Sequence, residues 1–130
     1  MRTQPTVRRK SLLVCLDLEG TLISNAVSQI PRPHLFEFLH ELKEFADVVL
    51  YTSVSEDRTK AIKALLANEK YVPEWFRELP SLHPIGTVKS RELVSNRHLY
   101  ETILLVDDQA AVVKEGEADG FVHVKKFLTP

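Results

Sequence analysis

Three short runs of apolar residues, separated by segments with helical spacing, constrain the fold of this chain most strongly. The runs are Leu12–Leu16 (LLVCL), residues 48–51 (VVLY) and residues 102–106 (TILLV). Strands that are apolar on both faces are typical of a parallel sheet covered on both sides. Strands that alternate with helices require crossover connections. We therefore predict a three-layer α/β fold with a mostly parallel sheet flanked by helices.

The segments between these runs supply the predicted helices and two further strands. Residues 34–46 place an apolar residue on one stripe at every third or fourth position, as an amphipathic helix does. Residues 53–70 also read as a helix, with Ser53 and Glu56 spaced as a capping box. The apolar stripes are Leu35, Phe38, Leu39, Leu42 and Ala46 in the first helix, and Ala61, Ile62, Leu65 and Leu66 in the second. Weaker patterns predict a short strand at 76–79, helices at 90–98 and 110–117, and a last strand at 121–124.

Length and composition favour one globular domain. The chain has 130 residues, of which 44% are hydrophobic, enough for a single core. We expect residues 11–130 to form that domain. Residues 1–10 are polar and basic, and we expect a flexible arm there.

Charge and cysteine content narrow the classes of partner and compartment. With 17 basic and 18 acidic residues, the net charge of −1 disfavours bulk nucleic-acid binding, although a local basic site stays open. No apolar run approaches the roughly 18–20 residues that cross a bilayer. The single cysteine, Cys15, lies inside the first apolar run and reads as a core residue. We expect a cytoplasmic protein with no membrane partner, and the sequence carries no signal for a particular oligomeric state.

Polar residues that can bind a ligand or take part in a reaction follow each apolar run. Ligands bind beyond the carboxyl ends of the strands in open parallel sheets, so these residues should meet at one edge. They are Asp17, Glu19, Thr52, Ser53, Asp107 and Asp108, with Lys89 from the short loop GTVKS. Each alone is ordinary, since an aspartate after a strand usually forms a turn. Their combination in this order indicates a site.

Several carboxylates at one edge repel one another unless a hard cation lies among them. Mg²⁺ prefers oxygen ligands and keeps water or phosphate oxygens in its shell. A lysine and a threonine hydroxyl opposite can hold phosphate oxygens. One carboxylate can attack phosphorus, and a second, two residues on, can protonate the leaving oxygen and then activate water. The pattern therefore points to magnesium-dependent phosphate chemistry.

The segment Asp17-Leu18-Glu19-Gly20-Thr21-Leu22 resembles the DxDGT signature of the haloacid dehalogenase (HAD) superfamily. Thr52, Lys89 and the Asp107-Asp108 pair follow in the order of that superfamily's later motifs. Residues 32–39 (RPHLFEFL), VVLYTS and GTVKSREL are similar to RPGLxEFL, VVFTAS and xYVKDLS of the CTD-phosphatase and NLI-interacting-factor-like branch. The resemblance spans residues 11–127 and implies a Rossmann-like HAD core without a large cap domain.

This resemblance implies a role for each residue at the edge of the sheet. Asp17 would be the nucleophile that forms an aspartyl phosphate, and Glu19 the general acid and base. Thr52 would bind phosphate with Ser53 as a helper, and Lys89 would neutralise phosphate and nucleophile.

A magnesium site is implied as well, with Asp17, the backbone carbonyl of Glu19, Asp107 and Asp108 as its ligands. The choice between Asp107 and Asp108 as the direct ligand stays open. Two positions depart from the branch. Glu19 stands where aspartate is usual, and its side chain is one methylene longer. Asp-Asp at 107–108 replaces Asp-Asn.

The function that follows is hydrolysis of a phosphomonoester. A phosphorylated protein, a nucleic-acid end and a small phosphate all stay open as substrates. The resemblance admits a phosphoprotein or another macromolecule, since capless members often act on macromolecules or use a neighbouring subunit as a lid. Two alternatives remain. The first is a low-activity HAD-like binding or scaffold domain, with Glu19 marking decay of the site. The second is a phosphotransferase with an acceptor other than water. A response-regulator receiver is disfavoured, because its acidic pair follows the first strand rather than a late one.

Overall fold

A computed structural model describes residues 9–128 of the chain. Within this range five strands form one parallel sheet in the order β3-β2-β1-β4-β5. The strands are β1 (Leu12–Leu16), β2 (Asp47–Tyr51), β3 (Ser81–Leu82), β4 (Thr102–Asp107) and β5 (Phe121–His123), and the α-helices are α1 (Leu35–Phe45) and α2 (Glu56–Asn68). The predicted α/β fold with a parallel sheet is confirmed.

The strand order places the two α-helices on the same face of the sheet. The chain steps from β1 through β2 to β3 in one direction, and then continues at β4 and β5 on the opposite side of β1. Right-handed crossovers put connections that run in opposite directions on opposite faces. The core on the helical face joins Val14 and Val48 of the sheet to Leu39 and Ile62 of the helices.

The other face of the sheet is covered by short turns instead of α-helices. Its core joins Leu13, Ile103 and Leu105 of the strands to Val94. The predicted helices at 90–98 and 110–117 are here replaced by 3₁₀ turns at Arg91–Leu93, Arg97–Leu99 and Ala110–Val112. The backbone explains the last difference, because the carbonyl of Val112 accepts a hydrogen bond from the N–H of Lys89 at 2.8 Å and so is used outside a helix.

The predicted stripe of α1 is largely correct. Leu35, Leu39 and Leu42 are buried against the sheet, and Ala46 is buried just after the helix. Phe38 is the exception, because it lies at the edge of the stripe and is 44% exposed.

The start of α2 differs from the prediction. Ser55 is the N-cap, and its hydroxyl accepts a hydrogen bond from the N–H of Arg58 at 3.4 Å, so the predicted Ser53–Glu56 capping box is wrong. Ile62 and Leu66 are buried as predicted, whereas Ala61 and Leu65 face outwards.

Two of the buried side chains on α2 are polar. Thr59 donates a hydrogen bond to the carbonyl of Val54 at 3.2 Å, and Lys63 donates one to the carbonyl of Leu79 at 2.7 Å. Because both side chains are satisfied, burying them does not carry the cost of an unpaired polar group.

The strand predicted at 76–79 is a 3₁₀ helix, Glu74–Glu78, and the strand follows it at Ser81–Leu82. Pro73 precedes this helix with an extended backbone, and its carbonyl accepts a hydrogen bond from the N–H of Phe76 at 3.0 Å. The ring of Phe76 is fully buried in the helical-face core, which anchors the turn.

Of the predicted basic arm, residues 1–8 lie outside the described residues. Arg9 lies over the ring of Tyr100, with 6.0 Å from its guanidinium carbon to the ring centre. The N–H of Lys10 is 3.5 Å from a carboxylate oxygen of Asp47. Within residues 9–128 the chain has no helix that is both long and apolar enough to traverse a bilayer.

The buried thiol of Cys15 offers a test of this packing. Cys15 is 1% exposed in the middle of β1, and burial raises its pKa to about 12. The thiolate is the reactive form, so at pH 8 we expect no reaction with an aromatic disulfide reagent in the native protein and complete reaction in urea. Fast labelling of the native protein, followed spectrophotometrically, would contradict the predicted burial.

Candidate active site

The acidic residues meet where the strand order changes direction. β1 and β4 are neighbours at the centre of the sheet, and Leu16 pairs with Val106 at their carboxyl ends. Asp17 follows β1 directly, and Asp107 is the last residue of β4. Ligands of open α/β sheets bind in the crevice at this kind of switch point, beyond the carboxyl ends of the strands. The topology therefore places both carboxylates where a ligand site is expected.

Lys89 joins the two central carboxylates. Its ammonium donates hydrogen bonds to Asp17 Oδ1 at 2.7 Å and to Asp107 Oδ2 at 2.6 Å. All three side chains are buried, so the charges are only weakly screened by water. The predicted convergence of Asp17, Lys89 and Asp107 is thus present in the structure.

Thr21 contributes a contact that our sequence analysis did not assign. Its hydroxyl lies 2.9 Å from Asp17 Oδ2 and 3.3 Å from Asp108 Oδ1. A hydroxyl has one proton to donate, so the shorter hydrogen bond, to Asp17, is the stronger of the two. The sequence signal for this contact is the threonine of the DLEGTL segment, for which no role was predicted.

The backbone after β4 orients Asp107. The N–H of Gln109 donates a hydrogen bond to Asp107 Oδ1 at 3.0 Å, while Oδ2 accepts from Lys89. Both oxygens of Asp107 are therefore engaged by the protein. Asp108 is half-buried, and its side chain has one protein hydrogen bond in the described part of the chain, the long one from Thr21.

The three aspartates form a compact acidic cluster. Asp17, Asp107 and Asp108 each place one carboxylate oxygen within 4.8 Å of the others. Burial raises the pKa of Asp17 to about 7, and the nearby Asp108 and Asp107 add to the rise, while the Lys89 ammonium opposes it. One ammonium faces three carboxylates, so a cation held among them would favour their ionised forms.

The carboxylate of Glu19 is not part of this acidic cluster. Its Oε2 accepts a hydrogen bond from the N–H of Ala26 at 2.6 Å. Glu19 nevertheless lines the same cleft as Asp17. The acid–base role predicted for the carboxylate of Glu19 and the ligation of a metal by its backbone carbonyl both stay predictions.

The two hydroxyl residues after β2 occupy different places. Ser53 is exposed and lines the cleft. Thr52 is 1% exposed, and its hydroxyl oxygen accepts a hydrogen bond from the N–H of Val54 at 3.1 Å. Thr52 is not among the residues that line the cleft. The phosphate-binding roles predicted for both residues stay predictions, and the geometry favours Ser53 as the one that touches a ligand.

The cleft between these side chains has a volume of about 200 Å³. It brings together the buried carboxylates of Asp17 and Asp107, the ammonium of Lys89 and part of a short loop at residues 84–87. The lining residues are Asp17, Glu19, Ser53, Pro84, Gly86, Thr87, Lys89, Asp107, Gln109 and Val112. Thr87 and Gln109 were not identified from the sequence, because nothing distinguishes them from ordinary loop residues. The arrangement can bind a small anionic group beside Asp17.

Gly20 leaves room for the side chain of Asp108 in the acidic cluster. Its φ is +78°, in the left-handed region that glycine adopts without strain. A Cβ at this position would lie 2.5 Å from Asp108 Oδ2. The glycine of the DLEGTL segment therefore serves both the turn after β1 and the approach of Asp108.

Alanine substitution at two glycines separates the strain of a left-handed backbone from the close approach of Asp108. Gly86 has a φ of +74°, and a Cβ there would meet no atom within 4 Å, so it is a control for backbone strain alone. We expect Gly20→Ala and Gly86→Ala each to lose about 1–2 kcal/mol of unfolding free energy in urea. In crystal structures, Gly20→Ala alone should displace the carboxylate of Asp108. An unmoved Asp108 in that variant would contradict the proposed role of the close approach.

Comparison with known proteins agrees with this geometry. The family model described as NLI interacting factor-like phosphatase matches residues 12–129. No match was found among curated proteins. Because the family model covers nearly all of the sequence, the chain belongs to the NLI interacting factor-like phosphatase family, in the HAD-like CTD-phosphatase branch.

Proposed function

We propose that the protein is a Mg²⁺-dependent phosphomonoester hydrolase that acts through a phosphorylated Asp17. The observation that carries this proposal is the environment of the Asp17 carboxylate. It is buried at the end of β1, accepts hydrogen bonds from Lys89 and Thr21, and borders a cleft of suitable size for a phosphoryl group. Membership in a phosphatase family supports the reaction class.

In the first step, an oxygen of Asp17 attacks phosphorus. A bond forms between this oxygen and phosphorus while the bond from phosphorus to the leaving oxygen breaks. Lys89 offsets the repulsion between the anionic carboxylate and the anionic phosphate, because its ammonium already contacts Asp17. Glu19 enters this step protonated and gives its proton to the leaving oxygen.

The second step regenerates the enzyme. Glu19, now ionised, takes a proton from a water molecule whose oxygen attacks the phosphorus of phospho-Asp17. The bond from Asp17 to phosphorus breaks, inorganic phosphate departs, and Glu19 is protonated again. The free Oε1 of Glu19 supports this role, since only Oε2 is engaged by Ala26 in the described residues.

The acidic cluster supports a magnesium site, because its donors are all carboxylate oxygens. Asp17 and the carbonyl of Glu19 would hold the ion together with Asp108, which is favoured over Asp107 because its Oδ2 accepts no hydrogen bond in the described residues, whereas both oxygens of Asp107 do. Bound Mg²⁺ would supply charge that stabilises phosphoryl oxygens. Asp107 would then serve mainly to position Lys89.

A phosphorylated macromolecule is the substrate class that we propose. The cleft holds little more than a phosphoryl group and its neighbouring atoms, and Ile85 stands 80% exposed next to the cleft-lining Gly86. Most of a larger substrate would therefore lie outside the cleft, on the surface around it. A phosphoprotein suits this surface better than a nucleic acid, because the net charge of −1 gives no bulk attraction to phosphate backbones. The free thiol of Cys15 suits a reducing compartment such as the cytoplasm.

The nucleophile is tested by Asp17→Asn, with Asp57→Asn on the exposed first turn of α2 as a matched control. With an aryl phosphate and Mg²⁺, we expect wild type and Asp57→Asn to turn over and Asp17→Asn to be inactive, because an amide cannot attack phosphorus. Addition of EDTA should abolish the activity of both active proteins.

Other outcomes of this assay point to the alternatives. A fully active Asp17→Asn would reject the proposed nucleophile. An inactive wild type would favour a binding or scaffold domain. Transfer of the phosphoryl group to added alcohols in preference to water would identify a phosphotransferase.

The metal site predicts stabilisation by Mg²⁺. Binding to the native state alone raises the unfolding free energy by RT ln(1 + [L]/Kd), or about 2.7 kcal/mol at a hundredfold excess over Kd. We expect a higher melting temperature with Mg²⁺ for the wild type and for Asp119→Ala, whose carboxylate lies on the surface. Asp108→Ala should lose most of this shift. A melting temperature that does not respond to Mg²⁺ would contradict the site.

A further inference from the structure

The carboxylate of Glu19 takes its direction from a loop, the segment 24–30 between β1 and α1. The N–H of Ala26 in this segment donates the 2.6 Å hydrogen bond to Glu19 Oε2. Ala26 is itself buried. The place of Ala26 therefore decides where the other oxygen of Glu19 points in the cleft.

Hydrogen bonds within this segment fix its shape but not its location. Asn25 Oδ1 accepts from the N–H groups of Val27 and Ser28 at 2.9 and 2.7 Å. The N–H of Ile30 donates to the hydroxyl of Ser24 at 3.1 Å. These contacts would move with the segment as a unit, so they cannot hold it against the rest of the protein.

Arg58 ties the segment to α2. From the first turn of that helix, its Nη2 donates a hydrogen bond to the carbonyl of Ala26 at 2.8 Å. Within residues 9–128 this is the one hydrogen bond that links the segment 24–30 to a residue outside the connection from β1 to α1. A bond from a charged donor is stronger than one between neutral groups. Ala26 is thus held by Arg58 on its carbonyl while it holds Glu19 with its N–H.

We propose that Arg58 is a positioning residue for acid–base catalysis, acting on Glu19 through Ala26. This inference rests on the proposed phosphatase function. Without Arg58 the segment keeps the packing of Ala26 against the core on the helical face but loses its one hydrogen bond to α2. It can then shift along α2, and the carboxyl of Glu19 moves with it relative to the leaving oxygen. A displacement of about 1 Å can lower a rate roughly 100-fold, so the effect should be visible in turnover.

The effect of Arg58 should depend on the leaving group. A nitrophenolate departs with little protonation, whereas an alkoxide needs the proton of Glu19. For Arg58→Ala with Mg²⁺ we expect the single-turnover rate of leaving-group release to fall about 10- to 100-fold for an alkyl phosphate and less than about threefold for nitrophenyl phosphate. Single turnover is needed because the later hydrolysis of phospho-Asp17 also uses Glu19 and is common to both substrates. The half-saturating substrate concentration of leaving-group release should stay unchanged. Arg77→Ala, which removes a half-buried arginine bonded to Glu74 and Asn68 and absent from the cleft lining, is the control and should leave both rates unchanged.

A double-mutant cycle tests whether Arg58 acts through Glu19. Glu19→Gln removes the proton that Arg58 is proposed to position. Adding Arg58→Ala to Glu19→Gln should therefore cause little further loss with the alkyl phosphate, although it causes a large loss in the wild type. Additive losses in the cycle would overturn the inference, as would an equal fall in the rate of leaving-group release on both substrates. A raised half-saturating concentration with an unchanged maximal rate of that release would identify a substrate-binding arginine instead and would also overturn it.

Amide hydrogen exchange tests the structural half of the inference without turnover. In Arg58→Ala the N–H of Ala26 should exchange at least about tenfold faster, whereas Arg77→Ala should not change it. Unchanged exchange would overturn the inference whether or not the protein is active. Absence of Mg²⁺-dependent hydrolysis in the wild type would instead reject the proposed function, so the two failures are distinguishable.

Discussion

The buried Lys89 ammonium between Asp17 and Asp107 is the interaction around which the fold is arranged. Removing charges from water is costly unless each finds partners of good geometry. Three separate pieces of chain must therefore end at the same point, namely β1, β4 and the loop before Lys89. The parallel pairing of β1 with β4 brings two of them together, and the bond from the Lys89 N–H to Val112 brings the third.

This constraint also accounts for the unequal faces of the sheet. On the face of α1 and α2, the connections only have to cover apolar side chains, and regular helices do that well. On the other face, the chain must place Lys89 at the edge of the sheet, and the carbonyl of Val112 must accept a hydrogen bond from the Lys89 N–H. A regular helix through Val112 would use that carbonyl internally. The short 3₁₀ turn at Ala110–Val112 leaves it free, at the cost of the helix that periodicity predicts at 110–117.

The same reasoning explains what could be predicted from the sequence. The apolar runs determine β1, β2 and β4 because no other arrangement buries both faces of such strands. The acids that follow them then meet at one edge by topology alone. The partners of these acids depend on the path of irregular loops, which periodicity does not encode. Thr21 beside Asp17, Ser53 rather than Thr52 in the cleft, and Ala26 beside Glu19 therefore emerged only from the structure.

The surroundings of Glu19 also depend on the path of an irregular loop. A glutamate reaches farther than the second aspartate of the DxDGT signature that this segment resembles, and it has one more rotatable bond to immobilise. The bond from Ala26 restrains the longer side chain, and it can do so only because the loop 24–30 lies beside the cleft. The loop is in turn attached to α2 through Arg58. A methylene added at the site is thus matched by backbone contacts outside it, so residue 19 and this loop form one structural unit beside the cleft.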